Sequence, residues 1–394
     1  MTADFTYYTP TKVVFGKDAE SQVGSLIKEQ QCKKVLVHYG TESAKRSGLL
    51  DRITASLQTA GIEHVLLGGV VPNPRLSKVH EGIELGKREG VDFILAVGGG
   101  SVIDSAKAIG YGLYHGGEVW DFYSQKRPIE GCLPIAAVLT IAAAGSEMSD
   151  SSVITNEDGD LKRGANSVYS RCRFAILNPT LTYTLPTYQT MSGAVDIMMH
   201  TIERYFFDGE SMYLTDEIAE GLLRTVVHYS LILKENPNDY DGRANLMWAS
   251  SLSHNGLTGA GNSARGDWAP HQLEHEMGGM FDVAHGAGLS AVWGAWARYV
   301  CANRAERFAR LGEKVFNVER TGDVLKDALT AIHAFEEFFR SIGMPTNFRE
   351  LGIEPTDEQI EEMTVKCTFF GKRTLGSVMV LGAKEIHDIY TNAR

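Results

Sequence analysis

The sequence predicts an α/β domain with a parallel sheet at residues 1–180, followed by an all-α domain at residues 181–394. In the first part, short apolar runs alternate with helical periodicities, a pattern typical of a parallel sheet covered on both faces. After Leu185-Pro186, long helical periodicities dominate to the end of the chain. The length of 394 residues is sufficient for two domains, each with a sizeable core.

The elements of the first part follow from their apolar patterns and from the residues that end them. Unbroken apolar runs predict buried strands, and Gly61 and Gly90 are placed to end two helices. The predicted elements are, in order, a strand pair in Phe5–Phe15 broken at Pro10 with Lys12–Phe15 as its second arm, a strand at Lys33–Tyr39, a helix at Ser43–Ala60, a strand at Ile62–Leu67, a helix at Leu76–Glu89, a strand at Phe93–Val97, a helix at Val102–Tyr114, a strand at Leu133–Leu139, a polar hairpin around Asn156–Gly159 and a last strand at Phe174–Leu177.

The second part is predicted to be helical between breaks that contain proline or glycine. These breaks lie near Asn236-Pro237, at residues 259–268, at residues 282–288 and near Met344-Pro345.

Composition excludes several classes of function. The net charge of −11 argues against nucleic acid or an anionic membrane as a partner. The five cysteines are scattered, without a C-x-x-C motif, which favours free thiols in a reducing cytoplasm. No secretory signal is expected, and the most apolar run, Cys132–Gly145, is too short to span a bilayer.

A glycine-rich turn, Gly98-Gly99-Gly100-Ser101, separates a predicted strand from a predicted helix. Glycines allow a phosphate to approach the backbone, and the N–H groups at a helix start attract anions. The turn is not a G-x-G-x-x-G motif, so a turn without a ligand remains an alternative. Its context favours a pyrophosphate site. Asp104, one helical turn further on, either faces that ligand or compensates the helix dipole.

The turn after the strand Lys33–Tyr39 bears on the choice of nucleotide. NAD enzymes often place an acidic residue at such a strand end. Here Gly40, Ser43 and the basic Lys45 favour a 2′-phosphate and therefore NADP(H), whereas Glu42 argues the opposite way.

Five residues of the helical part are candidates for metal binding. Asp196 and His200 are four apart and share one helix face, although an isolated pair of this kind also stabilises ordinary helices. His271 and His275 show the same spacing after Pro270, and His285 follows in a glycine-rich turn. Imidazole nitrogens with one carboxylate suit Fe(II), Zn, Ni or Co. Spacing alone favours both His271 and His275 as ligands.

These motifs together resemble the iron-dependent (group III) alcohol dehydrogenases, and the resemblance extends over nearly the whole chain. It is most similar to the branch of butanol dehydrogenases and broad aldehyde reductases. The matching stretches are Pro10–Gly16, Pro72-Asn73-Pro74, Gly98–Asp104, Gly145-Ser146-Glu147, Asp196-x-x-x-His200, His271-x-x-x-His275 and His285-Gly286, with Tyr39-Gly40-x-x-Ser43 and Asp267-Trp268-Ala269 specific to the branch.

The resemblance implies a dehydroquinate synthase-like fold, with a Rossmann-like nucleotide-binding domain and a helical metal-binding domain. It implies four metal ligands, Asp196, His200, His271 and His285, with His275 in the cleft near the substrate. It implies that the cofactor is bound by Gly40, Ser43, Asn73, Gly99, Gly100, Ser101, Asp104, Thr140, Lys162 and Thr182. Ala144 stands where the family usually has threonine.

The expected function is reversible hydride transfer between NAD(P)(H) and a primary alcohol or aldehyde, a small-molecule substrate. We expect a divalent metal, Fe(II) ahead of Zn, NADP(H) ahead of NAD(H), and a cytoplasmic homodimer. His275 is the candidate for passing the proton, because imidazole titrates near neutral pH. The alternatives are a metal- and NAD-using lyase of the same fold, which needs a basic cluster that the helical part lacks, and a non-catalytic nucleotide or metal sensor.

Overall fold

The computed structural model describes residues 3–264 and 266–394. These form two compact units. One is Tyr8–Leu185, and the other is Pro186–Arg394 together with the segment that precedes Tyr8. The division into domains at residue 180 stays a prediction.

The α/β unit contains a six-stranded, fully parallel sheet with the strand order β1-β8-β5-β4-β2-β3. Strands β4 and β5 are buried along their whole length, which explains their unbroken apolar runs. An antiparallel hairpin, β6-β7, stands apart from the sheet. The strands are β1 Lys12–Phe15, β2 Lys34–Tyr39, β3 Glu63–Leu67, β4 Phe93–Gly98, β5 Ile135–Leu139, β6 Ser151–Asn156, β7 Leu161–Asn166 and β8 Phe174–Leu177.

The helices of this unit are α1 Val23–Glu29, α2 Ser43–Arg46, α3 Leu49–Thr59, α4 Leu76–Glu89, α5 Gly100–His115 and α6 Trp120–Tyr123. The predicted parallel sheet, the hairpin and the helix at Leu76–Glu89 are confirmed.

Two predicted elements of this unit are wrong. Residues 5–9 form no strand, so β1 is not the second arm of a strand pair. The helix predicted at Ser43–Ala60 is two helices, because Gly48 adopts a left-handed conformation with φ of 68° between them.

The other unit is built from helices, as predicted. They are α7 Thr187–Tyr205, α8 Tyr213–Glu235, α9 Tyr240–His254, α10 Ala269–Phe281, α11 His285–Val300, α12 Ala305–Phe316, α13 Val324–Ser341, α14 Phe348–Leu351, α15 Asp357–Cys367 and α16 Ala383–Asn392. One prediction is wrong: His285 is the first residue of α11 and does not lie in a glycine-rich turn. Among the described residues, no helix has the length and apolar character that crossing a bilayer requires.

His38 is a fully buried histidine on β2, the strand next to the edge strand β3. Its Nδ1 lies 3.0 Å from the Leu67 carbonyl oxygen and its Nε2 lies 2.9 Å from the Ser105 hydroxyl. Burial lowers the pKa of this imidazole to about 4, because the charged form would lose its hydration.

We expect His38 to make the fold sensitive to acid. The pKa of His38 is lower in the folded chain than the usual 6.5. Its contribution to the free energy of unfolding is therefore complete above pH 6.5 and is lost as the pH falls toward 4. That difference corresponds to about 3 kcal/mol of unfolding free energy. Urea unfolding of metal-free wild type and His38→Gln at pH 7.5 and pH 4 measures it. Equal pH dependence in the two proteins would show that His38 is not the source.

Candidate metal centre

Helix α7 places a carboxylate and an imidazole next to each other in the interior of the helical unit. Asp196 and His200 are each 3% exposed, and the residues between them are fully buried. Their four-residue spacing brings Asp196 Oδ1 to 3.3 Å from His200 Nδ1. The pair therefore lies in the core and not on a wet helix surface.

Two further histidines reach the same carboxylate oxygen from other helices. His271, near the start of α10, places its Nε2 3.6 Å from Asp196 Oδ1. His285, the first residue of α11, places its Nε2 3.7 Å from the same oxygen. Donor atoms of Asp196, His200 and His271 all lie within 4.8 Å of one another. Three helices thus bring four potential metal-ligating side chains, Asp196, His200, His271 and His285, around one point; these four are called the donor cluster below.

The donor set fits a divalent cation. Asp196 Oδ1, His200 Nδ1 and His271 Nε2 are buried and make no hydrogen bond to any described residue. Buried polar atoms without partners are costly, so a group that accepts their lone pairs is needed here. One carboxylate oxygen and imidazole nitrogens are the donors that Fe(II) or Zn(II) takes.

The pKa values of His200 and His271 are shifted in opposite directions. Burial, with the neighbouring His254 and His271, holds the pKa of His200 well below 6.5, so its lone pair stays available. Burial also acts to lower the pKa of His271, but the carboxylates of Glu203 and Asp196 outweigh it and raise that pKa to about 9.

Two buried glutamates contact the outer nitrogens of two of these histidines. Glu203 Oε2 accepts a short hydrogen bond from His271 Nδ1, and Glu274 Oε2 accepts one from His285 Nδ1. Both glutamate side chains are completely buried. In each histidine the nitrogen that does not face the glutamate faces Asp196.

His275 lies one turn after His271 on α10 and is 5% exposed. Its ring centroid is 6.4 Å from that of His271 and 6.1 Å from that of His285. It is thus a neighbour of the cluster. On the opposite side, the His254 ring lies 3.9 Å from the His200 ring, centroid to centroid.

In the α/β unit, five of the ten predicted cofactor residues follow the carboxyl ends of strands of the sheet. Gly40 follows β2, Gly99 and Gly100 follow β4, Thr140 follows β5, and Thr182 lies beyond β8. Strands β2, β4, β5 and β8 are neighbours in the sheet and parallel, so their carboxyl ends meet. This edge is the usual position of a nucleotide in such a fold.

The turn between β4 and α5 is closely packed. A Cβ on Gly99 would lie 2.2 Å from Ile141 Cγ2, and one on Gly100 would lie 2.9 Å from the Ala144 Cβ. Glycine is therefore required for packing here, and the small Ala144 fits against Gly100. Helix α5 starts directly at Gly100, so the N–H groups of its first turn lie at the sheet edge.

Asp104 is held by protein groups on both carboxylate oxygens. Oδ1 accepts from the Ser146 hydroxyl at 2.6 Å and Oδ2 from the Val153 N–H at 2.9 Å. On the same helix the buried Lys107 donates to oxygens of Ser146, Ser149 and Ser151. Asp104 therefore joins α5 to the segment after β5, and its predicted contact with the cofactor stays a prediction.

The remaining predicted cofactor residues are distributed over the same unit. Ser43 and Ser101 lie in the first turns of α2 and α5, and Lys162 is a buried residue of β7. Asn73 is buried between β3 and α4, with a left-handed φ of 52°. Thr182 is buried and donates to the Pro179 carbonyl oxygen at 2.6 Å.

Two family models match the chain, one in each half. Residues 10–179 match the family model described as iron-containing alcohol dehydrogenase. Residues 190–393 match the C-terminal model of the Fe-containing alcohol dehydrogenase family.

The chain belongs to the iron-containing alcohol dehydrogenase family.

Relatives and solved structures agree with this assignment. NADH-dependent butanol dehydrogenase A of Clostridium acetobutylicum is 40% identical over 98% of both chains. NADPH-dependent aldehyde reductase YqhD of Escherichia coli is 34% identical over 98% of this chain and 96% of its own. The crystal structure of NADH-dependent butanol dehydrogenase A from Thermotoga maritima superposes with a TM-score of 0.95 at 39% identity, covering 100% of this chain and 99% of that one.

This iron-containing alcohol dehydrogenase is therefore an oxidoreductase of a family that uses NAD(P)H and a divalent metal, typically iron. The structure brings together the four residues that the resemblance implies as ligands, and their role stays a prediction; the two glutamates that contact His271 and His285 were not predicted. Their positions carried a signal: Glu203 lies three residues after His200, and Glu274 three residues after His271. Each spacing places a carboxylate on the same helix face as a candidate ligand.

Proposed function

We propose that this protein catalyses reversible hydride transfer between a nicotinamide nucleotide and a primary alcohol or aldehyde, with Asp196, His200, His271 and His285 holding the divalent ion. The observation that carries the proposal is the convergence of three imidazole nitrogens, 3.3, 3.6 and 3.7 Å away, on one buried carboxylate oxygen. The butanol dehydrogenase and aldehyde reductase names of the relatives support the substrate class.

When bound, the metal ion supplies Lewis-acid polarisation of the substrate oxygen and the nicotinamide supplies the hydride. The chain's own residues bind the ion, orient the substrate and exclude water. Asp196 would contribute a charged oxygen, and each of the three histidines would contribute one imidazole nitrogen. The burial of Asp196, His200 and His271 keeps their side of the site in a low-dielectric surrounding, which strengthens electrostatic interactions.

We propose His275 as the residue that accepts or donates the proton of the alcohol oxygen. An imidazole is suited to this role because it titrates near the working pH. Its position one turn from His271 keeps it next to the donor cluster, and it is 5% exposed.

NADP(H) is the proposed nucleotide, bound by the ten residues at and around the carboxyl edge of the sheet. Ser43 and the basic Lys45 follow Gly40, and Lys45 Nζ lies 3.4 Å from Glu42 Oε1. This ion pair offsets the acidic side chain that would repel a 2′-phosphate. The relatives are mixed: the Clostridium enzyme is named for NADH and the Escherichia coli enzyme for NADPH.

The working form is proposed to be a cytoplasmic homodimer acting on a small-molecule alcohol or aldehyde. All five cysteines are free thiols, which suits a reducing compartment. The net charge of −11 argues against nucleic acid as a partner.

We expect butyraldehyde reduction to appear as stoichiometric loss of nicotinamide absorbance once the metal-free protein has been reconstituted with Fe(II) or Zn(II). Steady-state rates with NADPH and with NADH, measured with each metal, test both the proposed reaction and the proposed nucleotide. Higher kcat/KM with NADPH supports the nucleotide assignment, and a higher value with NADH overturns that part alone. No oxidation of either nucleotide with either metal would refute the reaction.

A further inference from the structure

Glu203 accepts two hydrogen bonds from His271. Its Oε1 accepts from the His271 backbone N–H at 2.9 Å, and its Oε2 accepts from the ring Nδ1. The side chain is completely buried. One carboxylate on α7 therefore fixes both the start of α10 and the orientation of the His271 ring.

Glu274 makes the same kind of contact between α10 and α11. It lies on α10 and accepts from His285 Nδ1 on α11. A Cβ on Gly288 would lie 2.9 Å from Glu274 Cγ, so the α11 backbone packs directly against this side chain. Helix α7 thus orients the histidine of α10, and α10 orients the histidine of α11.

The contacts determine which nitrogen keeps the proton when the ring is neutral, the form in which an imidazole can bind a metal ion. A neutral imidazole has one N–H donor and one acceptor nitrogen. An ionised carboxylate only accepts, so each glutamate requires the proton at Nδ1 and leaves the lone pair at Nε2. In both histidines Nε2 is the atom that faces Asp196 Oδ1, at 3.6 and 3.7 Å.

We propose that Glu203 and Glu274 are positioning residues that hold His271 and His285 in the Nδ1–H tautomer and so keep both Nε2 atoms available to the ion. This inference rests on the proposed function, because it assigns the carboxylates a role toward the metal of that site. Each glutamate acts through the histidine that it contacts.

Replacing Glu203 with glutamine discriminates sharply between this role and simple packing. Both carboxylate oxygens of Glu203 face N–H donors, whereas glutamine has one oxygen and one NH₂ group. An NH₂ group at the ring either meets the Nδ1–H or forces the proton to Nε2, where it blocks the lone pair. In the opposite orientation the NH₂ group meets the His271 backbone N–H, so one of the two contacts is lost in either case. The change keeps the size and shape of the side chain.

The experiment measures zinc affinity by competition with a chromogenic chelator, for wild type, Glu203→Gln and Glu274→Gln. We expect each variant to bind Zn(II) about 10–100-fold more weakly. Glu220→Gln is the matched control: Glu220 is also completely buried in this unit, but its partners are the Tyr205 hydroxyl and Arg310. The control should keep the wild-type zinc affinity. Thermal unfolding of the metal-free proteins separates loss of folding from loss of affinity.

A second measurement reports the tautomers directly. In zinc-loaded protein with ¹⁵N-labelled histidine, we expect a protonated Nδ1 at both His271 and His285, and loss of that pattern for the affected ring in each variant. Wild-type affinity in both variants, or an equal loss in Glu220→Gln, would overturn the inference. If Glu203→Gln does not fold, Glu274→Gln decides. A wild-type protein that binds no zinc would instead refute the proposed metal site, and the positioning role with it.

Discussion

Replacing Asp196 with asparagine is expected to empty the metal site and to lower kcat/KM for aldehyde reduction by about 10³-fold or more. Asp196 Oδ1 is the atom on which the nitrogens of His200, His271 and His285 converge. Asparagine keeps the shape but removes the only negative charge contributed by the four proposed ligands. Lewis-acid polarisation of an oxygen contributes several kcal/mol, and about 4 kcal/mol corresponds to about 10³ in rate.

The measurement is metal content by elemental analysis together with steady-state kinetics after reconstitution. Asp216→Asn is the matched control, because Asp216 is 2% exposed in the same unit but its partners are Arg307 and Ser211. We expect the control to lose stability and keep its metal. An Asp196→Asn protein with full metal content would show that the proposed ligand set is wrong.

The sheet could be predicted from sequence because its signal is local. Strands β4, β5 and β8 are buried on both faces, so their sequences are continuous apolar runs that need no partner to be recognised. The helix Leu76–Glu89 was equally readable, since Gly90 ends it with a left-handed φ of 68°. In such elements the local pattern and the tertiary environment agree.

Two kinds of feature could not be predicted: a break set by the backbone conformation of one residue, and a helix start set by contact with another helix. The break between α2 and α3 rests on the conformation of one residue, Gly48, inside an otherwise helical pattern. His285 was placed in a turn because glycines follow it. In the structure Gly286 starts a buried helix turn where a Cβ would lie 1.9 Å from the Ser192 carbonyl oxygen, so these glycines serve close helix packing.

The donor cluster also combines a part that sequence spacing could predict with a part that it could not. Spacing identified Asp196 with His200 and His271 with His275, but spacing cannot tell which histidine of a pair faces another helix. In the structure His271 Nε2 lies 3.6 Å from Asp196 Oδ1, while the His275 ring stands nearly perpendicular to that of His271, at 89°. Only the packing of α10 against α7 separates the two, and the ligand set that the resemblance implies stays a prediction.

Replacing His275 with alanine is expected to leave the metal bound and to lower kcat by about 10²–10⁴-fold. His275 is 5% exposed beside the cluster, with ring centroids 6.4 and 6.1 Å from His271 and His285. A positioned side chain that transfers a proton contributes a factor of this size. If His275 were a metal ligand, in contrast, its replacement would also cause loss of the metal. Metal content and kcat are therefore measured on the same preparation.

Chemical rescue distinguishes proton transfer from a structural role for His275. Alanine leaves a space of imidazole size next to the cluster, so added imidazole should restore part of the lost kcat in His275→Ala, whereas a variant that is merely misfolded would not respond. His333→Ala, which removes an exposed histidine of α13 in the same unit, should show wild-type kcat and no response to imidazole. Loss of the metal from His275→Ala would make His275 a ligand after all. A retained metal with unchanged kcat would mean that the proton reaches solvent by another route.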